Sequence, residues 1–321
     1  MPSTLSRLVW FTALIIALLS SYFGYNYYES LGKALETSPL SFYDNPFTPT
    51  SDPSRRAYAT TLYDEHYVPG AILLGYSLKK HGMLDSQVAQ TMLLLHTPGS
   101  LGELSMQLLQ EVGWTLRTVN HIPPPIGRPP AHNFMDQYTK LRLFELDDYD
   151  MIFYLDADMM VVRPFSEIWS FPVPLAATRD VRMGYGWLPS INAGSLLLKP
   201  NRRLLSHMLE IAPTYKYNYV FAEQGLLNGE DPYWARDITI LPYIYNGQLG
   251  IKRVFPKIWE RFKDDVKIIH YTGLKPWQWY EKPDMPVERE LWWREWEEML
   301  EERKAQDLVD ISRMGRNPRE M

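Results

Sequence analysis

Two carboxylates two residues apart, Asp156 and Asp158, interrupt the run Ile152-Phe153-Tyr154-Leu155-Asp156-Ala157-Asp158-Met159-Met160-Val161-Val162. Apolar residues lead up to them and resume behind them. In extended chain, residues two apart point to the same side. Both carboxylates can therefore converge on one point. The apolar lead-in reads as a fully buried strand of a parallel sheet, and open α/β sheets place their ligands just beyond such strand ends. Two close anions need a counter-charge, and a divalent cation bridging to a diphosphate supplies one. A bare Asp-x-Asp is more often a solvated turn, but a solvated turn needs no Met-Met-Val-Val behind it. Without a cation the two carboxylates would repel, so losing one is expected to move the stability of the ion-free protein little.

Other chemistry-bearing residues lie along the chain. Lys140 and Arg142 sit in Tyr138 to Leu146, which reads as a helix feeding the Asp156 strand. Glu223 and Gln224 put an acid and an amide beside a short apolar stretch. His270 ends a late strand, Val266 to His270, and a loop with Gly273 and Lys275 follows it. A lone histidine there is usually structural. It becomes a third ligand only if the two strand ends meet.

The elements that would hold these residues alternate. Ala57–Leu62 reads as a first strand, Gly70–His81 as a helix stopped by Gly82, and Thr91–Leu95 as a second strand. A helix over Leu101–Val112 closed by Gly113 and a strand over Thr115–Val119 follow. This order argues for a mostly parallel sheet with right-handed crossovers. No Gly-x-Gly-x-x-Gly follows the first strand, which disfavours a dinucleotide fold. His121 to Pro130 is a proline-dense loop. Ser190 to Leu198 passes from polar and small residues into a buried strand, and Asn201 caps the helix behind it. Val287 to Leu308 reads as a helix with Trp292, Trp296 and Met299 on one stripe facing the domain.

The chain has 321 residues, 45% of them hydrophobic, enough for a proper core. A net charge of -5 argues against a nucleic-acid partner. With no cysteine there is neither a disulfide framework nor a thiolate metal site. From Leu8 to Tyr28 no residue is charged. About 20 helical residues cross a bilayer core, Tyr22, Tyr25, Tyr27 and Tyr28 resemble an interfacial belt, and no small residues fall at cleavage-site spacing. An uncleaved single-pass anchor over 1–28 is expected, with a cytosolic N-terminus and the rest of the chain facing the lumen of the Golgi or endoplasmic reticulum. A proline-rich stem over 29–55, a globular domain over 56–285 and a C-terminal helix and tail over 286–321 complete the expected organisation.

Six segments carry a resemblance: "AYATTLYDEHYVPGAILLGYSLKKHG", "YTKLRLF", "YLDADMMVVRPF", "NAGSLLLKP", "EQGLLN" and "HYTGLKPW". Together, in this order, they resemble glycosyltransferase family 8, the glycogenin-like retaining transferases. The resemblance implies a GT-A type nucleotide-diphospho-sugar transferase fold, α/β with a single mostly parallel central sheet flanked by helices. It implies manganese held by Asp156, Asp158 and His270. It places uridine at Thr61, Tyr63, Asp64 and Tyr67, and a basic residue near the donor at Lys140. Ala157, Asn192 and Ala193 would lie beside the donor, Glu223 and Gln224 at the reacting face, and Gly273 and Lys275 around the diphosphate. Two positions depart from the family: Glu223 stands where an Asp is usual, and Val220 replaces a nearby acid. Glycogenin's self-glucosylated tyrosine has no counterpart in Ile251-Lys252-Arg253-Val254.

The residues can support this chemistry. A cation held by Asp156, Asp158 and His270 would act as a Lewis acid on a departing diphosphate, and carboxylate and imidazole ligands suit manganese better than a soft-ligand metal. Lys275 would add positive charge that counts most in the transition state. The expected function is transfer of a hexosyl or N-acetylhexosaminyl group from a UDP-sugar to a hydroxyl of a glycan, glycoprotein or glycolipid. A nucleotide-sugar hydrolase or nucleotidyltransferase using the same metal, and a non-catalytic nucleotide-sugar-binding protein, are the alternatives.

Overall fold

A computed structural model describes residues 52–171, 174–180, 190–229, 238–278, 287–306 and 308. The expected anchor, nearly all of the stem and the end of the tail lie outside the described residues. No helix among the described residues is long and apolar enough to cross a membrane.

The first half alternates as β1 (Arg56–Leu62), α1 (Val68–Lys80), β2 (Thr91–His96), α2 (Glu103–Val112) and β3 (Trp114–Thr118). β1 runs parallel to β2, and β2 to β3. Pro69 opens α1, where a missing N–H costs no hydrogen bond. Gly113 closes α2 at φ 115°, a left-handed cap that glycine adopts without strain.

β4 (Met151–Leu155) pairs with the other side of β1 and lies mid-sheet. After a turn through Asp156, Ala157 and Asp158, β5 (Met159–Val161) leaves for a second sheet. β6 (Leu175–Arg179), β7 (Ile191–Leu198) and β8 (Ile238–Leu241) complete a seven-stranded sheet ordered β3-β2-β1-β4-β7-β6-β8. β7 is antiparallel to both β4 and β6, whereas β6 and β8 are parallel. The central sheet is therefore mixed, and a second sheet accompanies it, where the sequence pattern points to a single, mostly parallel one. The physical reason is that β7 is buried along its whole length, and such a run carries no signature of strand direction.

β9 (Gly247–Gln248) and β10 (Ile268–His270) join β5 in the second sheet, ordered β5-β10-β9. β10 runs antiparallel to β5, with His270 opposite Met159. The apolar residues behind Asp158 thus form the strand that recruits the histidine.

The remaining helices are α3 (Arg202–Ile211), α4 (Ala222–Leu227), α5 (Leu249–Val254), α6 (Pro256–Phe262) and α7 (Val287–Ala305). Asn201 caps α3 by accepting from the Leu204 N–H at 3.0 Å. The helix expected over Tyr138 to Leu146 is a 3-10 helix, Gln137–Glu145, with Tyr138, Thr139, Lys140 and Leu141 all buried. The Trp292, Trp296 and Met299 stripe of α7 is buried, and α7 packs against α1. The Trp277 and Trp292 rings lie 5.5 Å apart, and Trp292 stacks on Trp296 at 5.2 Å.

Candidate active site

A cavity of about 460 Å³ opens beyond the ends of β1 and β4. Thr61, Tyr63, Asp64 and Tyr67 line it from the end of β1 and the turn after it. Asp64 caps that turn, its side chain accepting from the His66 N–H at 2.8 Å. Asp156, Ala157 and Asp158 line the cavity from the turn after β4, and Lys140 from the 3-10 helix. Asn192, Glu223, Gln224, His270, Gly273 and Lys275 complete the expected set. Ala193 does not line the cavity. Its backbone braces the wall instead, donating to Gln224 Oε1 at 3.0 Å and accepting from Lys140 Nζ at 3.2 Å.

Asp156, Asp158 and His270 come together, with one ligand atom from each lying within 4.8 Å of the others. His270 Nε2 lies 3.3 Å from Asp158 Oδ1 and 3.9 Å from Asp156 Oδ2. The backbone is fitted to this cluster. A Cβ on Gly194 would lie 2.5 Å from His270 Cε1 and 2.8 Å from Asp156 Oδ2. One on Gly70, in the first turn of α1, would lie 2.3 Å from the Ala157 carbonyl. The register between β6 and β7 shifts here: Ala177 faces Leu196, but Thr178 faces Asn192. That irregularity frees Ala193, Gly194 and Ser195 from pairing with β6, the use a glycine inside a strand suggests.

Each carboxylate has its own lysine. Lys140 Nζ lies 3.1 Å from Asp156 Oδ1 and 2.8 Å from Glu223 Oε1, over the Tyr154 ring at 4.8 Å. Lys275 pairs with Asp158 and donates to the Tyr271 carbonyl at 3.2 Å. The expected repulsion between two bare carboxylates is therefore corrected: Lys275 pairs with Asp158, and Lys140 is shared by Asp156 and Glu223. Burial disfavours the charge on Lys140, but Asp156 and Glu223 more than reverse this and hold its pKa well above that of a free lysine. Burial pushes Glu223 up against the opposing pull of Lys140. Burial would raise Asp158 too, yet Lys275 and His270 hold it below the usual carboxylate range.

Among the residues that the sequence reading does not single out, Tyr154, Asp180 and Asn246 hold the polar groups of the site in place. Tyr154 donates to Asp156 Oδ1 at 2.6 Å and lies 3.0 Å from the Thr61 hydroxyl; its place two residues before Asp156 puts it on the same side of the strand. Asp180 accepts from Gln224 Nε2 at 2.9 Å and from Asn192 Nδ2 at 3.2 Å. Asn246 accepts from His270 Nδ1 at 2.9 Å. No local pattern marks Asp180, and Tyr-Asn-Gly at 245–247 reads as an exposed turn although Asn246 is wholly buried.

The donor set suits a hard or borderline divalent cation: two carboxylates and one imidazole nitrogen converge, with no sulfur ligand. Gly194 leaves open the space that a side chain would fill.

The fold matches that of a solved glycosyltransferase, GlyE of Streptococcus pneumoniae, with a TM-score of 0.53 at 20% identity over 79% of this chain and 65% of that one. The family model for glycosyl transferase family 8 matches residues 60–280, and the chain belongs to that family. It is 29% identical over 243 residues to UDP-glucuronate:xylan alpha-glucuronosyltransferase 2 of Arabidopsis thaliana, covering 73% of this chain and 38% of the relative. It is 27% identical over 228 residues to glycogenin of Neurospora crassa, covering 68% of this chain and 31% of the relative. The chain thus spans less than half the length of these relatives.

Proposed function

We propose that the protein is a retaining, UDP-sugar-dependent glycosyltransferase that uses manganese and delivers a hexosyl or N-acetylhexosaminyl group to a hydroxyl of a glycan, glycoprotein or glycolipid. The observation that carries the reading is the convergence of Asp156, Asp158 and His270 in the same cavity as Lys275, in a member of this family. A hexuronosyl donor joins the candidates because one relative is named for UDP-glucuronate. The uncharged run from Leu8 to Tyr28 supports a membrane anchor before the domain.

Bound there, manganese would supply Lewis-acid stabilisation of the leaving diphosphate. Lys275 adds a buried positive charge beside the same carboxylates, where it counts most as negative charge grows. Thr61, Tyr63, Asp64 and Tyr67 form the wall proposed to receive uridine. Glu223, paired with Lys140, and Gln224, tied to Asp180 and Ala193, form the wall proposed to face the donor sugar. The acceptor hydroxyl then enters on the leaving-group side, as retention requires.

A panel of UDP-glucose, UDP-galactose, UDP-N-acetylglucosamine and UDP-glucuronate, each with and without manganese, tests this. One donor is expected to release UDP only with manganese, and faster when an acceptor is present. Release of free sugar at a rate indifferent to every acceptor would mark a hydrolase instead.

A further inference from the structure

Asn246 has no place in the chemistry set out above, yet it is fully buried and touches the histidine of the metal cluster. It lies between β8 and β9, and its amide joins two polar groups. Its Oδ1 lies 2.9 Å from His270 Nδ1. Its Nδ2 donates to Asn192 Oδ1 at 2.9 Å. The same Asn192 oxygen accepts from the Gly194 N–H at 3.0 Å. Beyond it, Asn192 Nδ2 donates to Asp180 Oδ1 at 3.2 Å.

The direction of this chain of bonds is not free. A carboxylate accepts and does not donate, so Asp180 requires the Asn192 amide to present its NH₂ group. Asn192 must then turn its oxygen toward Asn246, and the Gly194 N–H requires the same orientation. Asn246 in turn must offer its NH₂ to Asn192 and its oxygen to His270. Reversing Asn246 would set two oxygens face to face in a buried site, at the cost of unpaired polar groups. The oxygen that reaches His270 demands a proton on Nδ1. That leaves the Nε2 lone pair on the side facing Asp156 and Asp158.

We propose that Asn246 is a positioning residue that fixes the tautomer and ring orientation of His270 for cation binding. Asp180 and Gly194 set its polarity through Asn192. The inference rests on the metal reading above and deepens it. The groups behind a metal-binding histidine govern its orientation and basicity, and losing one typically costs 10–100-fold in metal affinity. The relay also ties the histidine to the wall that carries Gln224, because Asp180 Oδ2 accepts from Gln224 Nε2 at 2.9 Å.

The test is manganese binding by the full chain without nucleotide, followed by electron paramagnetic resonance. It compares wild type with Asn246→Leu, Asn246→Asp and Asp158→Asn. Asn246→Leu keeps the size of the side chain but offers no acceptor, and the manganese Kd is expected to rise roughly 10–100-fold. Asn246→Asp still accepts from Nδ1–H but faces Asn192 Oδ1 with its second oxygen, so its manganese affinity should fall between those of wild type and Asn246→Leu. With enough manganese to saturate, Asn246→Leu should recover most of its kcat, whereas a merely structural loss would lower kcat at every concentration. Wild-type affinity in folded Asn246→Leu, with binding abolished in Asp158→Asn, would overturn the role of Asn246 and leave the metal site standing. No binding by wild type, either alone or with UDP added, would instead remove the metal reading. A second measurement needs no variant to fold. The ¹⁵N shifts of the His270 ring in the wild-type protein, recorded with a diamagnetic divalent cation bound in place of manganese, should show Nδ1 protonated and Nε2 without a proton. The opposite tautomer would overturn the relay even if manganese binds.

Discussion

The ammonium of Lys275 pairs with Asp158, so it competes with any cation for that carboxylate. One substitution should therefore act in opposite directions. Lys275→Met is expected to bind manganese alone more tightly than wild type, because no ammonium has to leave Asp158. The same variant should turn over about two to three powers of ten more slowly, since the departing diphosphate loses a charge. Calorimetric titration with manganese and a steady-state assay check the two halves. Equal loss of both would mean that Lys275 holds the site together and does not compete for it. The Asp-x-Asp pair was legible from two-residue spacing and the apolar residues around it. The two lysines that pair with it were legible as residues but not as partners, because Lys140 and Lys275 reach the carboxylates from a 3-10 helix and a loop that only the fold brings near.

Strand pairing explains why His270 could be singled out from sequence but not placed. The pattern marks β5 and β10 as apolar and says nothing of their partners. The antiparallel register that sets His270 opposite Met159 is a tertiary fact. In the same way the alternation of the first half revealed β1, β2 and β3, while the reversed β7 read like any buried strand. The element beyond the family match is α7. Its first turn holds the lysine loop, with Tyr271 donating to the Glu288 carbonyl at 2.7 Å and Arg289 to the Leu274 carbonyl at 2.9 Å. Its last turn is tied to α2 by Arg303 and Glu111, 2.7 Å apart. Arg303 holds the Glu111 pKa below its usual value. A carboxylate lowered in the folded state adds stability above its unfolded pKa, and that stability is lost as pH falls below about 4. Arg303→Gln should therefore melt lower than wild type at neutral pH, by roughly 1 kcal/mol of stability for a partly buried pair. The difference should shrink as pH falls from about 5 to about 3. Melting curves at both ends of that range check it. A gap that persists in acid would assign the loss to packing of the Arg303 side chain and not to charge.

At the scale of the whole molecule, a family 8 domain with a candidate metal site follows an uncharged run long enough to cross a membrane. If the run from Leu8 to about Phe23 is an uncleaved anchor, the expressed protein should stay in the pellet after carbonate extraction and keep its first residues. A soluble product beginning beyond Ser21 would contradict this. The account as a whole rests on the claim that Asp156, Asp158 and His270 make sugar transfer depend on a cation. Asp158→Asn tests it most directly. The amide keeps the shape of the side chain and one acceptor for Lys275, so the variant should fold with a stability loss of about 1–3 kcal/mol. The loss reflects a buried cation left partly unpaired, not the relief of two repelling anions. The measurement is turnover of the matching UDP-sugar, with and without manganese, by folded wild type and folded Asp158→Asn. The account predicts manganese-dependent turnover in wild type and none above background in the variant. Wild-type turnover by the folded variant would contradict it.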